Sequence, residues 1–143
     1  MNQDLPSPVV NPDSRVYWDG ARQGRLMIRK CKACGTMHFL PRYLCPACWS
    51  TDLDWVQASG HGTVHSFTVI RRAPLPAFAG RAPYVVALID LDEGPRMMAN
   101  ILGDDALHTR IGDRVEVRFE ERGEGAKVPQ FVRRADSAKE SAR

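Results

Sequence analysis

All four cysteines of the chain fall within eighteen residues, spaced C-x₂-C-x₁₀-C-x₂-C: Cys31, Cys34, Cys45 and Cys48. Two close thiol pairs are what a tetrahedral, soft-ligand metal needs, and a reducing compartment disfavours disulfides. Structural zinc is the expected occupant, with an iron–sulfur cluster or a single iron as the alternative. A second pattern overlaps the first. Residues 45–65, CPACWSTDLDWVQASGHGTVH, also read as C-x₂-C-x₁₂-H-x₃-H, the spacing of a two-Cys, two-His DNA-binding finger.

The finger fails on its own requirements. Its histidines must sit on successive turns of a helix, whereas GHGTVH surrounds His61 and His65 with two glycines and two β-branched residues. Asp52 and Ala58 stand where such a finger buries its aromatic and its leucine. It would also strand Cys31 and Cys34. A four-cysteine ribbon uses every thiol and frees all four histidines, of which His38 falls in a small hairpin between the knuckles and His108 in a polar loop. In CKACG, Gly35 follows the second ligand, where the chain turning back under a metal often needs positive φ. CPACWS puts Trp49 at the equivalent place, beside Pro46, which fixes φ and tightens the turn. That knuckle is either strained or differently folded.

Other chemistry is sparse. The sequence contains no G-x-S-x-G, P-loop, G-x-G-x-x-G or H-E-x-x-H pattern, and with every cysteine on metal no thiol remains as a nucleophile. Asp90, Asp92 and Glu93 could be imagined as a catalytic carboxylate pair, but they enter an EGP turn where solvated carboxylates are common. The net charge of +3 is dispersed; Arg29, Lys30 and Lys32, then Arg71 and Arg72, then Arg133 and Arg134 are its densest points and read first as solvated faces. A four-thiolate metal has no open coordination position for water. These features describe a binding or accessory protein rather than an enzyme acting alone.

The chain has 143 residues, 43% hydrophobic and 26% charged, which suits one globular unit with a small appendage. Its longest purely apolar run, YVVALI, is too short to span a membrane, and the first residues lack the basic and apolar regions of a secretory signal. A cytoplasmic location is expected. The organisation expected is a flexible N-terminus over residues 1–12, a helical segment and zinc ribbon over 13–56, an OB-fold over 57–134 and a disordered tail over 135–143. A helix starts near Pro12 or Asp13, capped by Asp13, with Val16, Tyr17 and Ala21 on one side and Gly20 and Gly24 limiting its length. Strands follow at residues 26–31, 62–73, 84–92, 96–103, 114–122 and 129–134, the last five making a small barrel. The fold class is mainly β, an OB-fold being the leading choice with its usual helix at residues 104–110, and an SH3-like barrel the alternative.

These parts, in this order, resemble a known family. DSRVYWDGARQGRLMIRKC, the knuckles CKACG and CPACWS, then SGHGTVHSFTVIRRAP, PYVVALIDLDEG and IGDRVEVRFEE are similar to the acyl-CoA-associated proteins catalogued as domain of unknown function thirty-five. The resemblance runs from Asp13 to Phe131. It implies a rubredoxin-like zinc ribbon with Cys31, Cys34, Cys45 and Cys48 as ligands, followed by an OB-fold. It also implies an accessory role beside a thiolase-superfamily enzyme (thiolase or aldolase) or a hotdog-fold enoyl-CoA hydratase, with acyl-CoA as ligand. A CoA thioester needs a few cationic donors beside an apolar groove. Arg71, Arg72, Arg81 and Phe78, with Tyr17 and Trp18 on the helix, are the candidate ligand residues. The alternative is a single-stranded nucleic-acid binder, which would need stacking aromatics such as Phe67, Tyr84, Phe119 and Phe131 on the barrel face.

Overall fold

The computed structural model describes residues 5–123 and 125–134; the expectations for residues 1–4 and 135–143 lie outside them. The first element is α1, Arg15–Arg22, which buries Tyr17, Gly20 and Ala21, the i, i+3, i+4 stripe of an amphipathic helix. Val16 is one position off that stripe and is exposed, contrary to expectation. The cap also differs: Ser14, not Asp13, precedes the helix. Ser14 N–H donates to Asn11 Oδ1 at 2.8 Å while Asn11 N–H donates to Ser14 Oγ at 3.1 Å, so this reciprocal turn sets the helix start.

A three-stranded antiparallel sheet follows, in the order β2-β1-β3: β1 is Met27–Cys31, β2 Met37–His38 and β3 Leu53–Gln57. β1 delivers the first ligand because Ile28 and Cys31 face inward. The small hairpin expected between the knuckles does not form; β2 pairs with β1 across the first knuckle instead, and His38 Nδ1 lies 2.9 Å from the Leu40 carbonyl oxygen. β3 has no counterpart among the strands expected from the sequence. It pairs along all of β1, setting Trp55 opposite Arg29, whose guanidinium lies 4.5 Å from the indole centroid.

The remaining strands are β4 (His61–Ile70), β5 (Tyr84–Leu91), β6 (Arg96–Leu102), β7 (Arg114–Glu121) and β8 (Lys127–Arg133). They close in the order β4-β5-β6-β8-β7, antiparallel except for the parallel β6–β8 pair, which is an OB-fold and not the SH3-like alternative. Strict alternation on β5 turns Val85, Ala87, Ile89 and Leu91 inward against Met97, Ala99 and Ile101 of β6, Val64, Val115 and Phe131. Tyr17, Leu26 and Ile28 join the same cluster, so helix, ribbon and barrel share one core. No helix among the described residues is long and apolar enough to cross a membrane.

Two expectations about the barrel need correction. Residues 104–110 hold only a single 3₁₀ turn, Ala106–His108, closed by Thr109 Oγ1 donating to the Ala106 carbonyl. Arg133 is not on a solvated face. Its side chain is 1% exposed, with Nε donating to Asp113 Oδ2 at 3.0 Å and Nη1 lying 3.4 Å from Asp105. A buried charge of this kind persists because it is paired.

Candidate functional site: a metal centre and an aromatic groove

The four cysteine Sγ atoms lie within 4.8 Å of one another, with Cys31–Cys48 at 3.5 Å and Cys34–Cys45 at 3.6 Å. Metal–sulfur bonds of about 2.3 Å in a tetrahedron demand edges of about 3.8 Å, so the set fits a four-thiolate metal. Two matching turns present it. Gly35 N–H donates to the Cys31 carbonyl at 2.8 Å, and Trp49 N–H to the Cys45 carbonyl at 2.9 Å. Cys31 N–H donates to Thr36 O at 2.8 Å, and Cys45 N–H to Ser50 O at 2.9 Å.

Without a cation these thiols cannot all ionise. Hydrogen bonds from the Thr36 hydroxyl and backbone hold Cys34 down to about 6. At Cys48 the Ser50 backbone favours the thiolate, yet contact with Cys31, desolvation and the other two cysteines push it up to about 12. A divalent cation at the centre would favour all four thiolates together.

A second site lies between α1 and the barrel's outer face. It is a groove of about 380 Å³ lined by Tyr17 and Trp18 of α1 and by Phe78 and Tyr84. The outward residues Val86, Met98 and Asn100, together with Gln130, also line it. Trp18 stands edge-on to Tyr17 at 4.7 Å between centroids, and Tyr17 edge-on to Phe39 at 5.6 Å. Burial pushes the Tyr17 phenol up, so it stays neutral. Phe78, on the 3₁₀ turn Pro76–Arg81, leans on Tyr84 at 6.2 Å.

Arg122 closes one end, with its guanidinium 5.9 Å from the Phe78 centroid. Its Nη2 lies 3.0 Å from Glu120, which also takes Arg81 Nη1 at 3.1 Å. Desolvation works against the Glu120 carboxylate, but the hydrogen bonds and charges of the two arginines outweigh it and hold its pKa below the usual range. The N-terminal segment straps this corner: Arg122 Nη1 donates to Pro6 O at 3.1 Å and Ser7 Oγ to Arg122 O at 2.7 Å.

Family models match both halves of the chain: "ChsH2, rubredoxin-like zinc ribbon domain" over residues 18–54 and "ChsH2, C-terminal OB-fold domain" over residues 55–120. A solved structure described as "Ltp2-ChsH2(DUF35) aldolase" superposes with a TM-score of 0.78 at 38% identity, covering 88% of this chain and 98% of that one. The chain belongs to the DUF35 family. A "DUF35 domain-containing scaffold protein" of Methanothermobacter thermautotrophicus is 41% identical over 91 residues, 63% of this chain and 68% of that protein. A "Probable enoyl-CoA hydratase alpha subunit" of Thermomonospora curvata is 44% identical over 98 residues, 68% of this chain but only 30% of its own length. "Benzoylsuccinyl-CoA thiolase subunit BbsA" of Thauera aromatica is 33% identical over 94 residues, 58% of this chain and 60% of that protein. Relatives of this DUF35 protein thus bear the names of scaffolds and of subunits of multi-chain enzymes.

Of the ligand candidates read from sequence, Tyr17, Trp18 and Phe78 line the groove of this DUF35 protein. Arg81 lines an adjoining hollow that shares Phe78, Tyr84 and Asn100 with it. Arg71 and Arg72 line neither and stay exposed at the end of β4. The sequence reading missed Met98, Asn100, Gln130 and Arg122, although Asn100 interrupting the apolar run RMMANIL signalled a polar outer face. The acidic cluster is dispersed among separate partners. Asp90 takes Arg96 at 2.6 Å, Asp92 takes both Nη atoms of Arg114 at 2.8 Å, and Glu93 accepts from Ser59 N–H at 2.8 Å. Hydrogen bonds from Arg96 and Arg114 hold Asp90 and Asp92 below the usual carboxylate range, so neither is a protonated acid at neutral pH.

Proposed function

We propose that this chain is a non-catalytic, acyl-CoA-binding subunit that works beside a partner enzyme in cytoplasmic lipid or acyl-CoA metabolism. That partner is of the thiolase superfamily (thiolase or aldolase) or is a hotdog-fold enoyl-CoA hydratase. The observation that carries this reading is the breadth of chemistry among the relatives. A probable enoyl-CoA hydratase subunit and a benzoylsuccinyl-CoA thiolase subunit each align with more than half of this chain, although one name implies addition of water and the other cleavage or formation of a carbon–carbon bond. What their names share is the CoA thioester and membership of an assembly. The groove of Tyr17, Trp18 and Phe78, with Arg81 and Arg122 at its end, suits such a ligand, being mostly apolar with a few convergent polar groups.

The metal is zinc in a structural role, because four thiolates leave no position for water or substrate. Elemental analysis separates it from iron. Co-expression with a thiolase-like or hydratase subunit, followed by size exclusion and CoA-thioester calorimetry, tests the rest. The expected result is co-elution and saturable heat. Separate elution from both partner classes, with no heat from any mixture, overturns the reading. The groove lies on the β5–β6 face, where OB-folds also bind oligonucleotides, so filter retention of a single strand at low salt would favour that alternative.

A further inference from the structure

The CoA thioester is a long molecule, and the groove's lining indicates which part of it this chain holds. β6 and β8 pair only at Ile101–Phe131 and Leu102–Val132, then separate. The reason is Pro129. Arg134 N–H donates to the Arg114 carbonyl on β7, so by alternation the nitrogens of Arg133, Phe131 and Pro129 face β6. Proline has no N–H to give, and the ladder stops there.

Side-chain amides fill the gap. Asn100 N–H donates to Gln130 Oε1 at 2.7 Å, Gln130 Nε2 donates to Asn100 Oδ1 at 3.1 Å, and Asn100 Nδ2 donates to the Val85 carbonyl at 3.0 Å. Each side-chain amide thereby keeps one N–H and spare acceptor capacity. Among the described residues Arg122 Nε, in a side chain 9% exposed, is a buried donor with no hydrogen-bond partner. Among the described residues, Arg81 and Arg122 bring two cations to the single carboxylate of Glu120.

We propose that the groove seats the pantetheine arm of the thioester, with Asn100 and Gln130 reading its amides and Arg122 facing its phosphate end. This rests on the acyl-CoA reading above. The arm is a flexible chain of short methylene runs broken by secondary amides and ending in a phosphate. Its apolar stretches match Trp18, Tyr84 and Met98, its amides match the paired side-chain amides between them, and its anion matches Arg122. A fatty acyl chain would leave the groove's polar groups unpaired, which disfavours it. The adenine end offers no such row of amides.

The test uses the full-length metal-loaded chain, alone and with its partner subunit. Coenzyme A is titrated by calorimetry, and 4′-phosphopantetheine and adenosine 3′,5′-bisphosphate compete for the same site. The expected outcome is competition by 4′-phosphopantetheine and none by the bisphosphate. Met98→Glu, at a position 66% exposed and therefore tolerant, should weaken coenzyme A and 4′-phosphopantetheine by about tenfold or more. Gln130→Glu, which removes an N–H donor and keeps the shape, should do the same if Met98→Glu proves unstable. Arg71→Ala should change nothing. If the bisphosphate competes and 4′-phosphopantetheine does not, or if folded variants bind coenzyme A unchanged, the pantetheine seat is wrong while the acyl-CoA reading stands. If coenzyme A binds neither the chain nor the complex, the acyl-CoA reading itself falls.

Discussion

The two knuckles of the metal site make the same turn with opposite residues. After Cys34 the chain places Gly35 at φ 79°, and after Cys48 it places Trp49 at φ 67°. The backbone bonds on either side are the same to within 0.1 Å. Of the two outcomes the sequence left open for Trp49, strain is the one realised. Left-handed backbone costs an L-residue about 1–2 kcal/mol, whereas a structural zinc site contributes on the order of 10 kcal/mol. The larger energy sets the geometry, and the side chain conforms to it.

Removal of the metal is therefore the largest effect and the sharpest trial of this argument. Chelation, or Cys31→Ser, should abolish about one metal per chain by elemental analysis and lower the unfolding midpoint by tens of degrees. Hydrogen exchange should rise in both knuckles, because their carbonyl-to-amide turns have no other support. An unchanged midpoint in metal-free protein would show that packing, and not ligation, holds the ribbon, and the comparison would collapse.

Glycines supply a middle-sized contrast. A Cβ built on Gly35 meets nothing within 4 Å, so Gly35→Ala carries only the backbone cost, about 1–2 kcal/mol. Gly60, at φ 83°, starts the barrel against β7, and a Cβ there would sit 2.5 Å from Val117 Cγ1. Gly60→Ala adds overpacking to the same backbone cost, for about 2–5 kcal/mol in all. Denaturant melts of the two variants should differ in midpoint, Gly60→Ala lower. Equal midpoints would mean that the barrel yields as readily as the ribbon.

What was legible in the sequence follows the same division. Ligand spacing alone named Cys31, Cys34, Cys45 and Cys48, because a metal writes its geometry as residue type and interval. Strict alternation named β5, since one face of it is buried. β3 was not legible. Trp55 and Val56 pack partly against the core, but Asp54 and Gln57 are exposed and the run follows directly on a knuckle, so no clean alternation marks its pairing with β1. The groove was half legible: its aromatics stand out as residue types. Its amides and Arg122 become a site only through the β6–β8 separation, a long-range consequence of Pro129 that no local pattern records.

The smallest effect is the most discriminating, because its sign is at stake. Trp49 is 78% exposed, so replacing it forfeits little burial. Trp49→Gly relieves the left-handed strain of about 1–2 kcal/mol and gives back roughly 0.5–1 kcal/mol through the added freedom of glycine in the unfolded chain. The net should be stabilisation of up to about 1.5 kcal/mol, seen as a midpoint raised by up to roughly 5 °C at unchanged metal content. If the midpoint falls instead, the indole contributes packing that exceeds the strain, and the second knuckle is held by its tryptophan as well as by its metal. A rise would leave the two knuckles equivalent in all but that side chain, with the metal the common cause of both turns.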